Sequence, residues 1–403
     1  MDDTRARIAH LLRRTGFGPH PGQVEALAAA GVAGALDAVL AAPSLTPDLP
    51  GLGTKDDYRL LVDWWTGVMS QPEAGVHERM VWFWHGHLTS SADKTQPLAM
   101  LRQHQLLRTH ALGNFRDLMQ KITVDAAMLQ WLDGDGSVAE APNENYGREL
   151  MELFTLGHDG GYTETDVLAG AHALSGWTVD EKTMKSSYDA EKGPTAPVTF
   201  LGKQVREAAD VIDAACDHES CAPYIAGKLY RLFHGVAPDP ATLGSLATTF
   251  RNSKLEIAPL VTAILRDPAF FEHRMNRPRT PVEWVIATNA TLGLTSWDRG
   301  VLDELGQEPF SPPNVAGWPG GARWLSAGSL MRKAQYAWDG SDDSEVVSTA
   351  DPVAAILGRA SLYEVSDETV AALRKAATKV ESRRDRATVL HALVVTTPEF
   401  QLA

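Results

Sequence analysis

The chain has 403 residues, of which 44% are hydrophobic and 22% charged, and such a composition is typical of a folded globular protein. The formal net charge of −14 argues against nucleic acid as a partner, because phosphate binding requires a basic surface. No segment holds about 20 consecutive apolar residues, so we expect no membrane-spanning helix.

The N-terminal third predicts short helices separated by Gly and Pro. Its first residues include arginines but no apolar run after them, so we expect no signal peptide and a cytoplasmic location. Apolar residues recur at helical spacing in seven segments: 4–14, 21–31, 32–40, 58–70, 77–88, 97–112 and 115–131. The segment at 77–88 is apolar on nearly every side, which predicts a helix in the core. It ends in His85-Gly86-His87.

Residues 141–177 hold the strongest local signals, which predict two helices joined by a Gly-rich turn. Asn143 is a good N-cap for the first helix, and Gly157 is a typical C-terminal glycine. Thr163 and Asp166 resemble a capping box at the start of the second helix, which Gly176 ends.

The first of these helices carries an unusual polar face. Glu149 and Glu152 are three residues apart and share that face, and the spacing of Arg148 and Glu152 allows an ion pair. Two carboxylates on one face of an apolar helix can ligate a metal or share a proton. The alternative is a solvated face with one surface ion pair, worth less than about 1 kcal/mol.

The C-terminal half continues the helical pattern after a break. Residues 180–208 show little periodicity and predict a long mobile insertion, with a short hairpin near 198–200. Residues 308–321 hold four prolines among several glycines and predict an ordered loop. Helices are predicted at 208–217, 222–233, 240–250, 257–266, 281–292, 326–336, 353–356, 367–377 and 383–395. Cys216 and Cys221 are expected in helix, as reduced structural thiols.

These patterns predict an all-α fold, a large irregular multi-helix bundle. We expect one helical domain over residues 1–403, with sub-lobes at 1–180 and 208–403. Nucleophilic hydrolysis is poorly supported, because the chain has no Gly-x-Ser-x-Gly elbow, and no phosphate-binding Gly-x-x-x-x-Gly-Lys motif is present.

His85 and His87 form a second candidate site. Residues two apart in a continuous helix point about 200° from one another, so both could bind one metal only if the helix ends or distorts at Gly86. Otherwise one histidine is buried with a hydrogen bond and the other caps the helix. Together with Glu149 and Glu152, the pair fits a mononuclear His/carboxylate site suited to iron and dioxygen.

Seven segments make the chain resemble the bacterial family grouped as domain of unknown function 1800, over nearly its whole length. They are HLLRRTGFGP at 10–19, WFWHGHL at 82–88, PNENYGRELMELFTLG at 142–157, GGYTETDV at 160–167, ALSGW at 173–177, YIAGKLYRLF at 224–233 and PFSPPNVAGWPGG at 309–321. The resemblance implies no reaction. It does imply that polar hallmark segments form a shared site, with His85, His87, Glu149 and Glu152 as metal ligands. His172, a further candidate ligand, stands where the family pattern has arginine.

The first hypothesis is a metal-dependent oxidoreductase acting on a small molecule or peptide, with iron favoured over manganese, copper and zinc. Arg148 would orient a ligating carboxylate, and Asn143, Asn145 and Tyr146 would position the substrate or hydrogen-bond the ligands. The second is a non-catalytic helical scaffold or binding protein, in which the same residues form a buried polar network and the partner is a protein. The third is a metal-dependent hydrolase with the same ligands.

Overall fold

Helices dominate the computed structural model, which describes residues 3–52, 57–294, 298, 300–341 and 346–403, and the all-α prediction is confirmed. The α-helices of the described residues are α1 Asp3–Thr15, α2 Gln23–Ala28, α3 Gly31–Ala41, α4 Arg59–Met69, α5 Val76–His87, α6 Pro97–His110, α7 Phe115–Thr123, α8 Ala126–Trp131, α9 Glu144–Glu149, α10 Glu164–Ala173, α11 Ala208–Asp217, α12 Cys221–His234, α13 Pro240–Asn252, α14 Ile257–Leu265, α15 Pro281–Leu292, α16 Gly300–Glu304, α17 Ala327–Gly340, α18 Pro352–Arg359, α19 Asp367–Thr378, α20 Arg383–Val394 and α21 Pro398–Gln401. A π-helix covers Leu150–Thr155, and short 3-10 helices cover Pro268–Phe271, Gly321–Leu325 and Val346–Ser348.

Two antiparallel hairpins occupy the predicted insertion. Strands β1 (Trp177–Asp180) and β2 (Lys185–Tyr188) form the first, and β3 (Val198–Phe200) and β4 (Lys203–Val205) form the second. The hairpin near 198–200 is therefore confirmed. The first hairpin was not predicted, and its second strand, Lys185–Tyr188, has no alternating apolar pattern. Phe200 is fully buried, which anchors the second hairpin to the core. The mobility of the insertion stays a prediction.

One connected hydrophobic cluster runs from Ile8 in α1 to Phe400 in α21, so both predicted sub-lobes contribute to it. Helix α5 lies in this core as predicted, with Trp82 and Trp84 buried. Of the helices that the structure describes, none combines the length and the hydropathy needed to cross a bilayer.

The Pro/Gly-rich loop at 308–321 packs against the C-terminal turn of α5. Phe310 is fully buried, and Trp318 stacks on Trp82 with ring centroids 5.4 Å apart and planes 20° apart. Gly317 has a φ of +81°, and a Cβ atom there would lie 2.5 Å from the carbonyl oxygen of Gly86. The loop can approach α5 this closely only with glycine at that position.

A buried ion-pair network joins α5 to the start of α15. The Glu283 carboxylate receives two bonds from Arg277, each 2.8 Å long, and a third contact from Arg79 at 2.5 Å. Arg79 also donates to the carbonyl oxygens of Arg13 and Arg14 in α1. The network therefore connects three helices distant in sequence, and the opposing arginines hold the pKa of Glu283 well below its usual range against the effect of burial.

The two cysteines lie in different helices, contrary to the expectation of one. Cys216 belongs to α11, which ends at Asp217, and Cys221 is the first residue of α12. Both are buried free thiols. A hydrogen bond with Cys221, together with burial, raises the pKa of the Cys216 thiol.

Candidate functional site

The candidate site centres on a π-helical turn that continues helix α9. The sequence predicts one α-helix here, but the turn Leu150–Thr155 widens so that the N–H of Leu156 donates to the carbonyl of Met151, at 2.8 Å. Such turns occur frequently at functional sites. Because the helix ends at Thr155, the carbonyl groups of its last turn lack intrahelical partners and must be satisfied in other ways.

Three side chains donate to these carbonyl groups. His87 Nε2 lies 3.0 Å from the Phe154 oxygen, and the Tyr224 hydroxyl donates to the Leu153 oxygen at 2.7 Å. Lys228 Nζ lies 3.5 Å from the same Leu153 oxygen. Side chains of helices α5 and α12 thus cap the π-helical turn, and they satisfy the carbonyl groups of Leu153 and Phe154.

Both ring nitrogens of His87 are engaged. Because a carbonyl oxygen only accepts, Nε2 carries the proton toward Phe154, and Nδ1 accepts from Lys228 Nζ at 3.1 Å. Burial, then the charge of Lys228, holds the pKa of His87 well below its ordinary value. Burial, with Arg231 adding to it, lowers the pKa of Lys228 to about 8. The arrangement therefore favours a neutral imidazole with no free lone pair.

His85 faces a different part of the molecule. Its Nε2 accepts the N–H of Phe310 at 3.0 Å, and its ring packs edge-on against Trp65, with centroids 4.9 Å apart. Burial lowers the pKa of His85 to about 3. Helix α5 continues to His87 without a break at Gly86, so the two imidazoles point apart, as two-residue spacing requires.

Glu149 and Glu152 share one half-exposed face, as predicted. Glu152 bonds to the Nδ1 atom of His158 at 3.0 Å, and that histidine is 80% exposed. Partial burial, then the charge of Glu152, raises the pKa of Glu149. The structure therefore brings the two carboxylates together, but their histidine neighbour is His158 rather than His85 or His87.

The predicted Arg148–Glu152 ion pair is wrong. Arg148 instead makes a bidentate pair with Glu164, with bonds of 2.7 and 2.8 Å, and approaches Glu144 at 3.9 Å. The reason is close packing of α9 on α10. A Cβ atom on Gly147 would lie 2.7 Å from the carbonyl oxygen of Val167, so glycine lets the helices meet and brings Glu164 within reach.

The predicted polar residues around this turn stabilise local structure. Asn143 is the N-cap of α9, as predicted, accepting from the Asn145 N–H at 2.9 Å and donating to the Asp133 oxygen at 2.8 Å. Asn145 itself is exposed. The buried Tyr146 hydroxyl donates to the Thr123 oxygen at 2.8 Å. His172 bonds through Nδ1 to the Ala139 oxygen at 3.0 Å.

The sequence did not lead to the prediction that Tyr224 and Lys228 of α12 belong to this site. Tyr224 and Lys228 are four residues apart and so lie on one face of that helix, the face that meets the π-helical turn. A signal was present, because a lysine one turn after a tyrosine falls within an otherwise apolar stretch. Its significance depends on the neighbouring helices, which one sequence does not reveal.

The four predicted metal ligands do not converge. Across the described ranges, no group of three or more His, Cys, Asp or Glu side chains is placed to hold a metal ion. Bound iron, manganese, copper or zinc therefore stays a prediction.

Comparison with known proteins gives the chain a family but no function. A search of curated proteins found no match, and a search of solved structures found none. A family model described as a protein of unknown function (DUF1800) matches residues 10–402. That match spans nearly the whole chain, and the chain therefore belongs to the DUF1800 family.

Proposed function

We propose that this protein is a non-catalytic helical scaffold or binding protein, in which the polar residues of the central helices form a structural network. The observation that carries this proposal is the hydrogen bonding of His87. Its Nε2 proton is directed to Phe154, and its Nδ1 lone pair receives Lys228. An imidazole needs an unshared lone pair to ligate a metal or accept a substrate proton, and here none is left.

Energetic reasoning supports the same conclusion. The carbonyl groups of Leu153 and Phe154 lie in a widened helical turn and need donors from outside it. A buried acceptor without a partner costs about 1–3 kcal/mol. His87 and Tyr224 remove that cost, so stabilising the turn is a sufficient reason for both side chains.

The competing functions are a metal-dependent oxidoreductase and a metal-dependent hydrolase. Either would require His85 to leave the Phe310 N–H and His87 to leave Lys228, and both rings to turn toward Glu149 and Glu152. Turning His85 away leaves the buried N–H of Phe310 without its acceptor, and turning His87 away leaves the Phe154 carbonyl without its donor, which makes the rearrangement costly. A small-molecule, peptide or protein partner fits the proposed binding role, and a cytoplasmic location fits it as well.

The test compares metal content and unfolding free energy in tag-free protein. We would measure both for wild type, for His87→Leu and for the double variant Glu149→Gln with Glu152→Gln. A structural network predicts that His87→Leu destabilises the protein by about 1–3 kcal/mol, since the Phe154 carbonyl loses its donor. It also predicts that the double variant changes stability by less than about 1 kcal/mol, because these carboxylates are half exposed.

The control is His158→Leu, which alters a histidine that is 80% exposed and should leave stability unchanged. About one equivalent of iron, manganese, copper or zinc in wild type, absent from both His87→Leu and the double glutamine variant, would overturn the proposal. Unchanged metal content across the set, combined with the stability difference, would support it.

A further inference from the structure

A half-open cavity of about 510 Å³ lies between the N-terminal helices and the loops that follow α3 and α4. Its lining is mostly apolar and includes Leu12, Phe17, Leu27, Val39 and Met69. Small-molecule sites in proteins are concave, mostly apolar and about 300–1,000 Å³ in volume. The cavity is therefore of suitable size and chemistry for a small ligand, and it is separate from the His87 network.

Hydrogen bonds fix the walls of this cavity. Gln23, at the start of α2, donates to the Pro72 oxygen at 2.8 Å and accepts the His20 N–H at 3.0 Å. On the opposite side, Arg108 donates to the Leu45 oxygen at 3.1 Å, which fastens the loop after α3 to α6. A preformed cavity loses little conformational entropy on binding, and this favours ligand affinity.

The cavity also has a definite charge character. Among the described residues that line it, Glu73 is the one acidic side chain, and none is lysine or arginine. Burial lowers the pKa of His20, while the nearby charge of Glu73 acts in the opposite direction. Glu73 is an exposed residue of the loop that lines the cavity, and among the described lining residues it is the one that carries a negative charge.

We propose that this cavity binds a small apolar molecule that carries one cationic amine. The apolar body would lie between α1, α2 and α3, and the ammonium group would face Glu73. An anionic ligand would meet this carboxylate, and no lysine or arginine stands among the described residues that line the cavity. This inference goes beyond the proposed scaffold function and does not depend on it, because the two sets of residues do not overlap.

The probes are three compounds with the same phenylbutyl body: 4-phenylbutylamine, 4-phenylbutanol and 4-phenylbutyrate. Titration calorimetry at pH 7 with the full chain should give the tightest binding for the amine and the weakest for the carboxylate. Removing the charge with Glu73→Gln should weaken the amine about threefold to fivefold, as expected for a partly exposed ion pair, and leave the alcohol unchanged.

Steric variants locate the site. Ala38 lines the cavity from α3, and Ala33 is an exposed residue of the same helix outside the lining. Ala38→Trp should abolish binding of the amine, and Ala33→Trp should leave it intact. Equal affinity for amine and alcohol, absence of binding by wild type, or binding that survives Ala38→Trp would each overturn the proposal. None of these results depends on metal content, so failure here is distinct from failure of the proposed function.

Discussion

Lys228 Nζ lies 3.1 Å from Nδ1 of His87, so that a half-buried amine and a neutral imidazole share one hydrogen bond. This contact joins α12 to α5 across 141 residues of sequence. In this arrangement both ring nitrogens of His87 are already engaged, one by the Phe154 carbonyl and one by Lys228. The Nδ1 lone pair of His87, which a metal would need, instead accepts the hydrogen bond from Lys228. The Lys228 amine also lies 3.5 Å from the Leu153 carbonyl oxygen of the π-helical turn.

The first prediction concerns the pH dependence of stability at Lys228. Burial lowers its pKa to about 8 in the folded chain, whereas an unfolded lysine has a pKa of about 10.4. Between these values the unfolded state binds more protons, so the free energy of unfolding should rise with pH. Relative to Lys228→Met, wild type should gain about 2 kcal/mol between pH 7.5 and 9.5, measured by urea unfolding.

The control for this prediction is Lys203→Met. Lys203 lies on the surface and pairs with Asp217 at 2.6 Å, so its removal should not change the pH dependence. Parallel pH curves for wild type and Lys228→Met would contradict the assigned environment of Lys228.

The second prediction compares two bidentate Arg–Glu pairs that differ in burial. Glu283 is 3% exposed and pairs with Arg277, while Glu164 is 72% exposed and pairs with Arg148. Glu283→Gln should destabilise the chain by about 3–5 kcal/mol, because it leaves buried guanidinium groups without a carboxylate. Glu164→Gln should cost less than about 1 kcal/mol. Chemical denaturation of both variants, in parallel, provides the measurement.

The same network makes an acid-sensitivity prediction. The pKa of Glu283 is held well below its unfolded value by Arg277 and Arg79. A depressed carboxyl pKa contributes stability above the unfolded value, about 4.3, and this contribution is lost as the pH falls below it. Wild type should therefore lose stability steeply below about pH 4.5, and Glu283→Gln should show a shallower loss. Equal slopes for the two proteins would argue against the network.

The sequence correctly predicted the features that depend on residues close to one another in the chain. The Asn143 cap and the Thr163–Asp166 capping box are both present, because they depend on residues within three positions of one another. The aromatic character of α5 likewise predicted its place in the core. In each case the information lies in neighbouring residues.

The predictions that were wrong, and the contacts that were not predicted, depend on segments distant in sequence. Arg148 pairs with Glu164 rather than with Glu152, because glycine at position 147 lets α10 approach α9. The partners of His85 and His87 lie 225 and 67 residues away, at Phe310 and Phe154. Helical spacing predicts that the two rings diverge, but it cannot identify the groups that they meet.

The fourth prediction concerns the two thiols. Cys216 and Cys221 are buried, and a hydrogen bond between them raises the pKa of Cys216, so thiolate should be scarce at neutral pH. Because thiolate is the reactive form, the aromatic disulfide reagent DTNB should label native protein slowly and denatured protein fast, at two thiols per chain. Rapid labelling of the native chain at pH 7.5 would contradict this environment.

The last prediction tests how the Pro/Gly-rich loop is held on α5. Gly317 combines a φ of +81° with a position where a Cβ atom would lie 2.5 Å from the Gly86 oxygen. Gly317→Ala should therefore cost at least about 1 kcal/mol and should move Trp318 from its stacked position on Trp82.

Gly320 supplies the matched control within the same loop. Its φ is −112°, and a Cβ atom there would meet nothing within 4 Å, so Gly320→Ala should leave both stability and fluorescence unchanged. Tryptophan emission and urea unfolding of the two alanine variants measure the effect. A red-shifted emission with lower stability in Gly317→Ala alone supports close packing of loop on helix. Equal behaviour of the two variants would mean that the loop does not depend on this contact, and that the Phe310 hydrogen bond to His85 is enough to hold it.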